Sequence, residues 1–340
     1  MERRFIPVAV LSLFLAAAVV GGTVVLPKKG MSSSDAERFI GRVAGASAEK
    51  KVPVIEERRD TSCGFRPIRK PDTGTFAVPT AHSAILLDAA TGIPIFEQDA
   101  DERRAIASIT KLMTAMIAVE ETKSLDEPVT IPEDAVYAEG TRVGCPRSGY
   151  CIGERLRVGE RVSVRNLLKA ALMNSANDAA ISLAEHVSGS QEKFAEKMNR
   201  RASELGLSNT RFCTPSGLEL DDAAAEENCY SSARDVAKIA AYALHYDVLW
   251  ETMRMEKTTI PSADGKYEHE IFNTDQLLGY PNLIGTKTGF TPRAGYSLLA
   301  VAGDPVVGKH RLIAVVLDDS TRWQSVRDMF SWGFGSYEWK

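Results

Sequence analysis

Hydrophobic positions along the chain fall into blocks of distinct period, and each block predicts a different element. From Phe5 to Pro27, 23 residues run without a charge, opened by Arg3 and Arg4 and closed by Lys28 and Lys29. A run of that length can cross a bilayer core as a helix, and its basic start equally fits a secretory signal. Ala16-Ala17-Ala18 offers small residues for cleavage, but a cut there leaves apolar Val19 to Leu26 exposed. The segment 1–28 therefore reads as a signal-anchor, with a cleaved signal peptide and a buried core helix as alternatives. Residues 29–75 read as a linker, dense in charge around Glu49 to Asp60 and punctuated by Pro67, Pro71 and Gly74.

A catalytic-sized domain follows over 76–340. His82 to Asp88, a turn through Thr91 and Gly92, and Ile93 to Gln98 predict a hairpin. Ile109 to Val119 is apolar on nearly every side, which predicts a buried helix. Leu167 to Val187 predicts a second helical stretch, interrupted at Asn174, Ser175 and Asn177, and Gln191 to Leu205 a third. A fourth follows Ser232, with Asp235 three residues on in a capping arrangement. Gly295 to Gly303 and His310 to Asp318 predict strands, and Trp323 to Tyr337 a closing amphipathic helix. Helices in the middle and strands at both ends give an α+β fold: one sheet built from both ends of the domain, with helices packed on it.

Charge is nearly balanced, 41 basic against 45 acidic residues, with no long basic run, so nucleic acid is excluded as a first-choice partner. Five cysteines fit an oxidising compartment. Cys145 and Cys151 have the spacing of a small disulfide ring, Cys213 and Cys229 flank a polar stretch, and Cys63 is the odd one out. Spacing alone leaves the connectivity open. No C-x-x-C pair and no H-x-x-x-H spacing is present, so neither a metal nor a cofactor is implied.

Three short patterns carry chemistry. Ser108-Ile-Thr-Lys111 opens the buried helix, and residues three apart share a helical face. A serine hydroxyl needs a base to become a nucleophile, and a lysine in apolar surroundings loses its proton more easily. Alone, this spacing fits a capping serine beside a solvated lysine equally well; the apolar run headed by Lys111 argues for the base. Ser175-Ala-Asn177 places polar groups inside an apolar helical stretch, where an ordinary interhelical loop is the bland alternative. Lys287-Thr288-Gly289 offers a cation, a hydroxyl and a residue that lets another backbone approach a strand edge, against the alternative of a turn with a surface lysine.

Together, in this order and 67 and 112 residues apart, Ser-x-x-Lys, Ser-x-Asn and Lys-Thr-Gly form the motif set of penicillin-binding proteins and β-lactamases. The chain resembles the serine D-alanyl-D-alanine carboxypeptidases, the low-molecular-mass penicillin-binding proteins, from about Ala77 to Trp339. Leu86-Leu-Asp-Ala-Ala-Thr-Gly92, Ser175-Ala-Asn-Asp-Ala-Ala180, Leu205-Gly-Leu-Ser-Asn-Thr210, Pro215-Ser-Gly-Leu218, Ser232-Ala-Arg-Asp235 and Trp332-Gly-Phe334 all follow the family pattern. Ile106 departs from the family's usual proline, and Asn273-Thr-Asp275 from its Asn-x-Asn. The family's C-terminal β domain and amphipathic anchor have no counterpart after Phe334, and an N-terminal tether to the cytoplasmic membrane through residues 5–27 would take their place.

The resemblance implies a β-lactamase/transpeptidase-like fold, an antiparallel sheet with a helical subdomain. It implies an extracytoplasmic enzyme acting on peptidoglycan stem peptides ending in D-Ala-D-Ala and acylated by β-lactams. Ser108 would be the nucleophile, Lys111 its base, and Ser175 the relay to the leaving amine. Asn177 would hold the peptide amide and Lys111, while Lys287, Thr288 and Gly289 would face the substrate. The N–H groups of Ser108 and Phe290 would form the oxyanion hole, and Arg322 would aid the terminal carboxylate. A DD-endopeptidase shares this site. A β-lactamase would need a Glu-x-x-Leu-Asn segment, to which Glu204-Leu-Gly-Leu-Ser208 is a near miss. A non-enzymatic penicillin sensor would acylate without turning over peptide.

Overall fold

The computed structural model describes residues 65–145, 150–218, 227–306 and 309–340, together with the backbone of 18–20 and 23–25. The chain divides into two compact units, Met1–Thr61 and Ser62–Lys340. In the first unit, β1 (Ala18–Val20) pairs antiparallel with β2 (Thr23–Val25), Ala18 opposite Val25. A hairpin thus stands inside the uncharged run expected to be helical. The run's β-branched residues on either side of Gly21-Gly22 are a hairpin signature that competes with its helix-like length. The rest of that run, and Cys63, lie outside the described residues. No helix among the described residues is long and apolar enough to cross a membrane.

In the second unit, β3 (Pro67–Arg69) pairs antiparallel with a strand at the far end of the chain, Tyr337–Trp339. Residues expected to be linker are thereby part of the domain. Arg66 N–H donates to Lys340 O at 2.8 Å, and Phe76 stacks on Trp332 with centroids 5.0 Å apart. Next come β4 (Ala81–Asp88) and β5 (Pro94–Gln98), the expected hairpin, its turn held by Asp88 accepting from the Thr91 N–H and hydroxyl. Short β6 (Pro128–Thr130) pairs with β7 (Arg161–Ser163), and β8 (Lys257–Pro261) with β9 (Glu268–Phe272). The main sheet is completed by β10 (Leu283–Thr291), β11 (Gly295–Gly303) and β12 (Arg311–Asp319), and β13 (Tyr337–Trp339) closes the chain.

The main sheet has the order β10-β11-β12-β4-β5 and is antiparallel throughout. Both ends of the domain therefore supply it, and β10 is left as an edge. The three inner strands, β11, β12 and β4, are buried on both faces, so they read as nearly continuous apolar runs. The strand period sorts them: Ile313, Val315 and Leu317 face one core, while Leu312, Ala314 and Val316 face the other.

The first core is filled by helices. They are α1 (Lys111–Glu121), α2 (Glu133–Val136), α3 (Val164–Met173), α4 (Asn177–Ser188), α5 (Gln191–Glu204), α6 (Ala233–Ala243) and α7 (Asp247–Arg254). The second core is roofed by α8 (Arg322–Ser336) through Val326, Met329 and Phe330. Residues 111 to 118 of α1 are all buried, as its unbroken apolar pattern required.

Ser232 accepts from Asp235 N–H at 3.2 Å and so caps α6. Replacing a capping serine by alanine strands that donor, at a cost of about 1 kcal/mol. Ser232→Ala should lower the urea midpoint with an unchanged slope, by the equivalent of about 1 kcal/mol, whereas Ser232→Thr should keep most of the stability. Equal stability of wild type and Ser232→Ala would show that the cap contributes nothing.

Candidate active site

Ser108 lies in a single 3-10 turn, Ala107–Thr110, which runs directly into α1. The turn begins at Ala107 with φ +46°. A left-handed conformation at a residue carrying a Cβ costs on the order of 1–2 kcal/mol and persists only where its surroundings enforce it. Here the enforcement comes from Gly217, which approaches so closely that a Cβ on it would collide with the Ala107 carbonyl.

Lys111 Nζ is 2.7 Å from each of three atoms: Ser108 Oγ, Asn177 Oδ1 and the Ser216 carbonyl oxygen. Two of these can only accept. A neutral amine has two N–H donors and one lone pair, so donating to Asn177 and Ser216 leaves the lone pair for the Ser108 hydroxyl proton. Electrostatics favours the same state. Burial holds the Lys111 pKa well below the ordinary lysine value, the positive charge of Lys287 lowers it further, and Asp178 partly opposes them.

The orientation of Asn177 is fixed from behind. Its Nδ2 donates to Glu139 O at 2.7 Å and its backbone N–H to Thr141 O at 2.8 Å, so Oδ1 is the atom turned to Lys111. The neighbouring Asp178 accepts from Val143 N–H at 3.0 Å and from Ala179 N–H at 2.9 Å. Burial pushes its carboxyl up to about 7. The segment 139–143 is therefore bound at Glu139, Thr141 and Val143 to the start of α4. It leads directly into Cys145, which is bridged to Cys151.

Ser175 occupies the break between α3 and α4 at φ +59°, a second left-handed residue with a Cβ. Its Oγ accepts from Lys287 Nζ at 2.9 Å, and the same amine donates to Thr288 O at 3.1 Å. Lys287, Thr288, Gly289 and Phe290 follow one another on β10, the edge strand. Gly289 is where that strand crosses the Ser108 turn: a Cβ there would lie 2.5 Å from Ile106 O. Thr288 Oγ1 is 3.2 Å from Thr274 Oγ1, and the Phe290 ring packs on Tyr296 at 4.5 Å. Arg322 is buried at the start of α8, and its Nη1 donates to Gly289 O and Ser297 O at 3.0 and 3.1 Å.

Hydrogen bonds thus join Ser108, Lys111 and Asn177 in one group and Ser175 with Lys287 in another. The charge on Lys287 couples the two groups, and Arg322 clamps the shared strand. Arg322 differs from its expected use as an open carboxylate ligand, because at least two of its bonds go to strand carbonyls. Sequence reading missed the carbonyls of Ser216, Glu139 and Thr141, since a backbone acceptor has no side-chain signature. The near-miss carboxylate Glu204 is ion-paired to Arg201 at 3.0 Å, at the end of α5.

Comparison with known proteins places these residues in context. A family model described as peptidase S11, D-alanyl-D-alanine carboxypeptidase, matches residues 73–321, more than half of the chain. The carboxypeptidase DacF of Bacillus subtilis is 36% identical over 267 residues, which cover 76% of this chain and 63% of that protein. The chain therefore spans less than two thirds of that relative. A D-alanyl-D-alanine endopeptidase of Escherichia coli is 32% identical over 69% of this chain and 70% of its own length. Penicillin-binding protein D2 of Listeria monocytogenes, solved in an ampicillin-bound form, superposes with a TM-score of 0.63 at 29% identity, over 77% of this chain and all of that one.

Only a neutral amine offers a lone pair, so acylation of Ser108 by benzylpenicillin should rise with pH and level off well below the ordinary lysine pKa of 10.5. Lys111→Arg, charged at every working pH, should slow acylation about 10²- to 10⁴-fold. Stopped-flow acylation rates across pH test both, and near wild-type acylation by the arginine variant would reject Lys111 as the base.

Proposed function

The chain belongs to the peptidase S11 family of D-alanyl-D-alanine carboxypeptidases, and from that premise we propose that it removes the terminal D-alanine from peptidoglycan stem peptides through an acyl-enzyme on Ser108. The observation that carries this reading is the coordination of Lys111, whose lone pair is left for the Ser108 hydroxyl. Ser108 Oγ attacks the carbonyl carbon of the penultimate D-alanine while its proton passes to Lys111 Nζ. The N–H groups of Ser108 and Phe290 receive the developing oxyanion, each such donor contributing roughly 3–4 kcal/mol in comparable enzymes. Collapse of the intermediate breaks the peptide bond, and the proton taken up by Lys111 is relayed through the Ser175 hydroxyl, held by Lys287, to the departing amine. Water then hydrolyses the ester and frees Ser108.

The substrate's terminal carboxylate falls to Lys287 and Thr288, and Arg322 adds its charge from behind the same strand. Asn177 holds both Lys111 and the substrate amide. A location outside the cytoplasm is supported by the Cys145–Cys151 and Cys213–Cys229 bridges, since disulfides persist in oxidising compartments. The uncharged run from Phe5 to Pro27 would tether the enzyme to the membrane, and residues 76–340, extended by β3 at Pro67–Arg69, would form its catalytic domain. Cleavage of cross-links is the second reading, favoured by the similarity to the endopeptidase. The chemistry is common to both, and only the group accommodated beyond the scissile bond differs.

A pentapeptide ending in D-Ala-D-Ala should release free D-alanine, and a cross-linked dimer should be cut much more slowly. The opposite ranking would move the protein to the endopeptidases, and turnover of neither would leave a penicillin sensor. Benzylpenicillin should form an adduct on Ser108 that lasts minutes or longer, because water must be activated while the tethered leaving group remains in place. Lack of a positioned base for that step costs about 10²–10⁴ in rate. Intact mass after a penicillin pulse reads the adduct; rapid return to the unmodified mass with penicillin consumed would indicate a β-lactamase.

A further inference from the structure

The strand period puts His269 on the inward face of β9, between the exposed Glu268 and Glu270, and its side chain is fully buried. The mechanism above makes no use of it. Its Nδ1 is 2.9 Å from the Glu154 carbonyl oxygen and its Nε2 is 2.7 Å from Glu160 Oε1. A carbonyl and a carboxylate oxygen only accept, so each ring nitrogen carries a proton and the ring is an imidazolium. Glu160 is equally committed: it is buried, and its second oxygen accepts from the Arg157 N–H at 3.0 Å. Burial alone would drive the proton off His269. The bonds to Glu160 and to the Glu154 carbonyl outweigh that penalty and hold its pKa above the ordinary 6.5.

Among the described residues, the other charges near the pair are accounted for. Arg157 opposes the proton, and is itself held by Glu154 at 2.7 Å and over the Tyr267 ring. On α4, Asp178 feels the positive charge of the histidine. The cross-strand neighbour on β8 is Ile260. From α3, which packs on β9, Arg165 and Lys169 are engaged with Asp126 and Asn166.

What the pair holds is the segment 152–160, and that segment supports the catalytic asparagine. Gly144 O accepts from the Ile152 and Gly153 N–H groups at 2.8 and 3.1 Å. Gly144, at φ +69°, lies so close that a Cβ would stand 2.6 Å from Glu154 O, the oxygen that His269 binds. The Cys145–Cys151 bridge closes the same contact covalently. One residue earlier, Val143 N–H donates to Asp178, and the carbonyls of Thr141 and Glu139 orient Asn177 toward Lys111. His269 therefore ties to β9 the loop that aims Asn177.

We propose that the His269–Glu160 pair positions Asn177 for acylation of Ser108, and that it does so only while the imidazole keeps both protons. Loss of one proton leaves a lone pair facing an acceptor, and the disulfide-closed loop is freed from β9. The raised value fixes the sign: anchoring is complete below the ordinary histidine pKa and is lost as pH rises through the folded one. This role rests on Ser108 as the acylated residue, and not on which peptide is cut.

Stopped-flow acylation by benzylpenicillin across pH tests it. The rate constant reports only reacting molecules, so a misfolded fraction of a variant lowers the amplitude and not the rate. In wild type, the plateau set by neutral Lys111 should end in an alkaline limb where the rate falls roughly tenfold, less than a shift of about 1 Å can cost. Glu160→Gln keeps the shape and lets a neutral ring accept from the amide, so its alkaline limb should disappear. His269→Gln cannot reach both acceptors, and its rate should lie roughly tenfold below the wild-type plateau with no alkaline limb. Nitrogen-15 spectra of histidine-labelled protein at neutral pH should show protons on both nitrogens of the ring whose signals vanish in His269→Gln. A wild-type profile without the limb, a limb unchanged in Glu160→Gln, or a singly protonated His269 would overturn the role. A limb that vanishes in Glu160→Gln, in a protein that releases D-alanine from no peptide, would uphold the role and count against the carboxypeptidase reading.

Discussion

The buried amine of Lys111 is held at 2.7 Å by two carbonyl oxygens and one hydroxyl, and the surrounding structure can be understood as what is needed to keep it so. A lysine in an apolar core is costly when charged, and this one lies beside a second cation, Lys287. Neutrality relieves both penalties. It also makes the amine a base, so the forces that depress its proton affinity create its chemistry.

The acceptors around Lys111 come from separate parts of the chain. Asn177 opens α4 and is aimed by the carbonyls of Glu139 and Thr141. Ser216 belongs to the 211–218 loop, in which Gly217 presses on Ala107. Each loop is closed near its end by a disulfide, Cys145–Cys151 for the first and Cys213–Cys229 for the second. Covalent closure restricts loops whose backbone carbonyls, rather than side chains, do the positioning. The strain at Ala107 and Ser175 is stored in the same places, where neighbouring segments over-determine the backbone.

The sheet contributes an edge. Three strands, β11, β12 and β4, are paired on both sides, and β10 offers its outer side to the Ser108 turn. Gly289 permits the close crossing, and Arg322 holds the strand from the α8 side through the Gly289 and Ser297 carbonyls. The two cores on either side of the sheet make this edge rigid. Rigidity matters because a shift of about 1 Å between nucleophile and oxyanion donors can cost two orders of magnitude in rate.

Local pattern carried much of this information. The apolar run from Ile109 to Val119 reads as a buried helix because burial on every side leaves no polar stripe. The period-2 and continuous apolar runs at both ends read as one sheet for a similar reason. The three motifs name the side chains of the site because nucleophile, base and cation are chemical identities written in the sequence. Other features escaped that reading. Gly21-Gly22 and its valines are a local signal that length obscured, and the pairing of Pro67–Arg69 with Tyr337–Trp339 joins residues some 270 positions apart, which no local period encodes. The same holds for the carbonyls of Ser216, Glu139 and Thr141: every residue has one, so only the folded chain decides which of them meet Lys111. Sequence by itself determined which atoms could react; the fold decided that Lys111 is buried beside Lys287 and short of a third acceptor-only partner, and that shortage is what leaves a lone pair for Ser108.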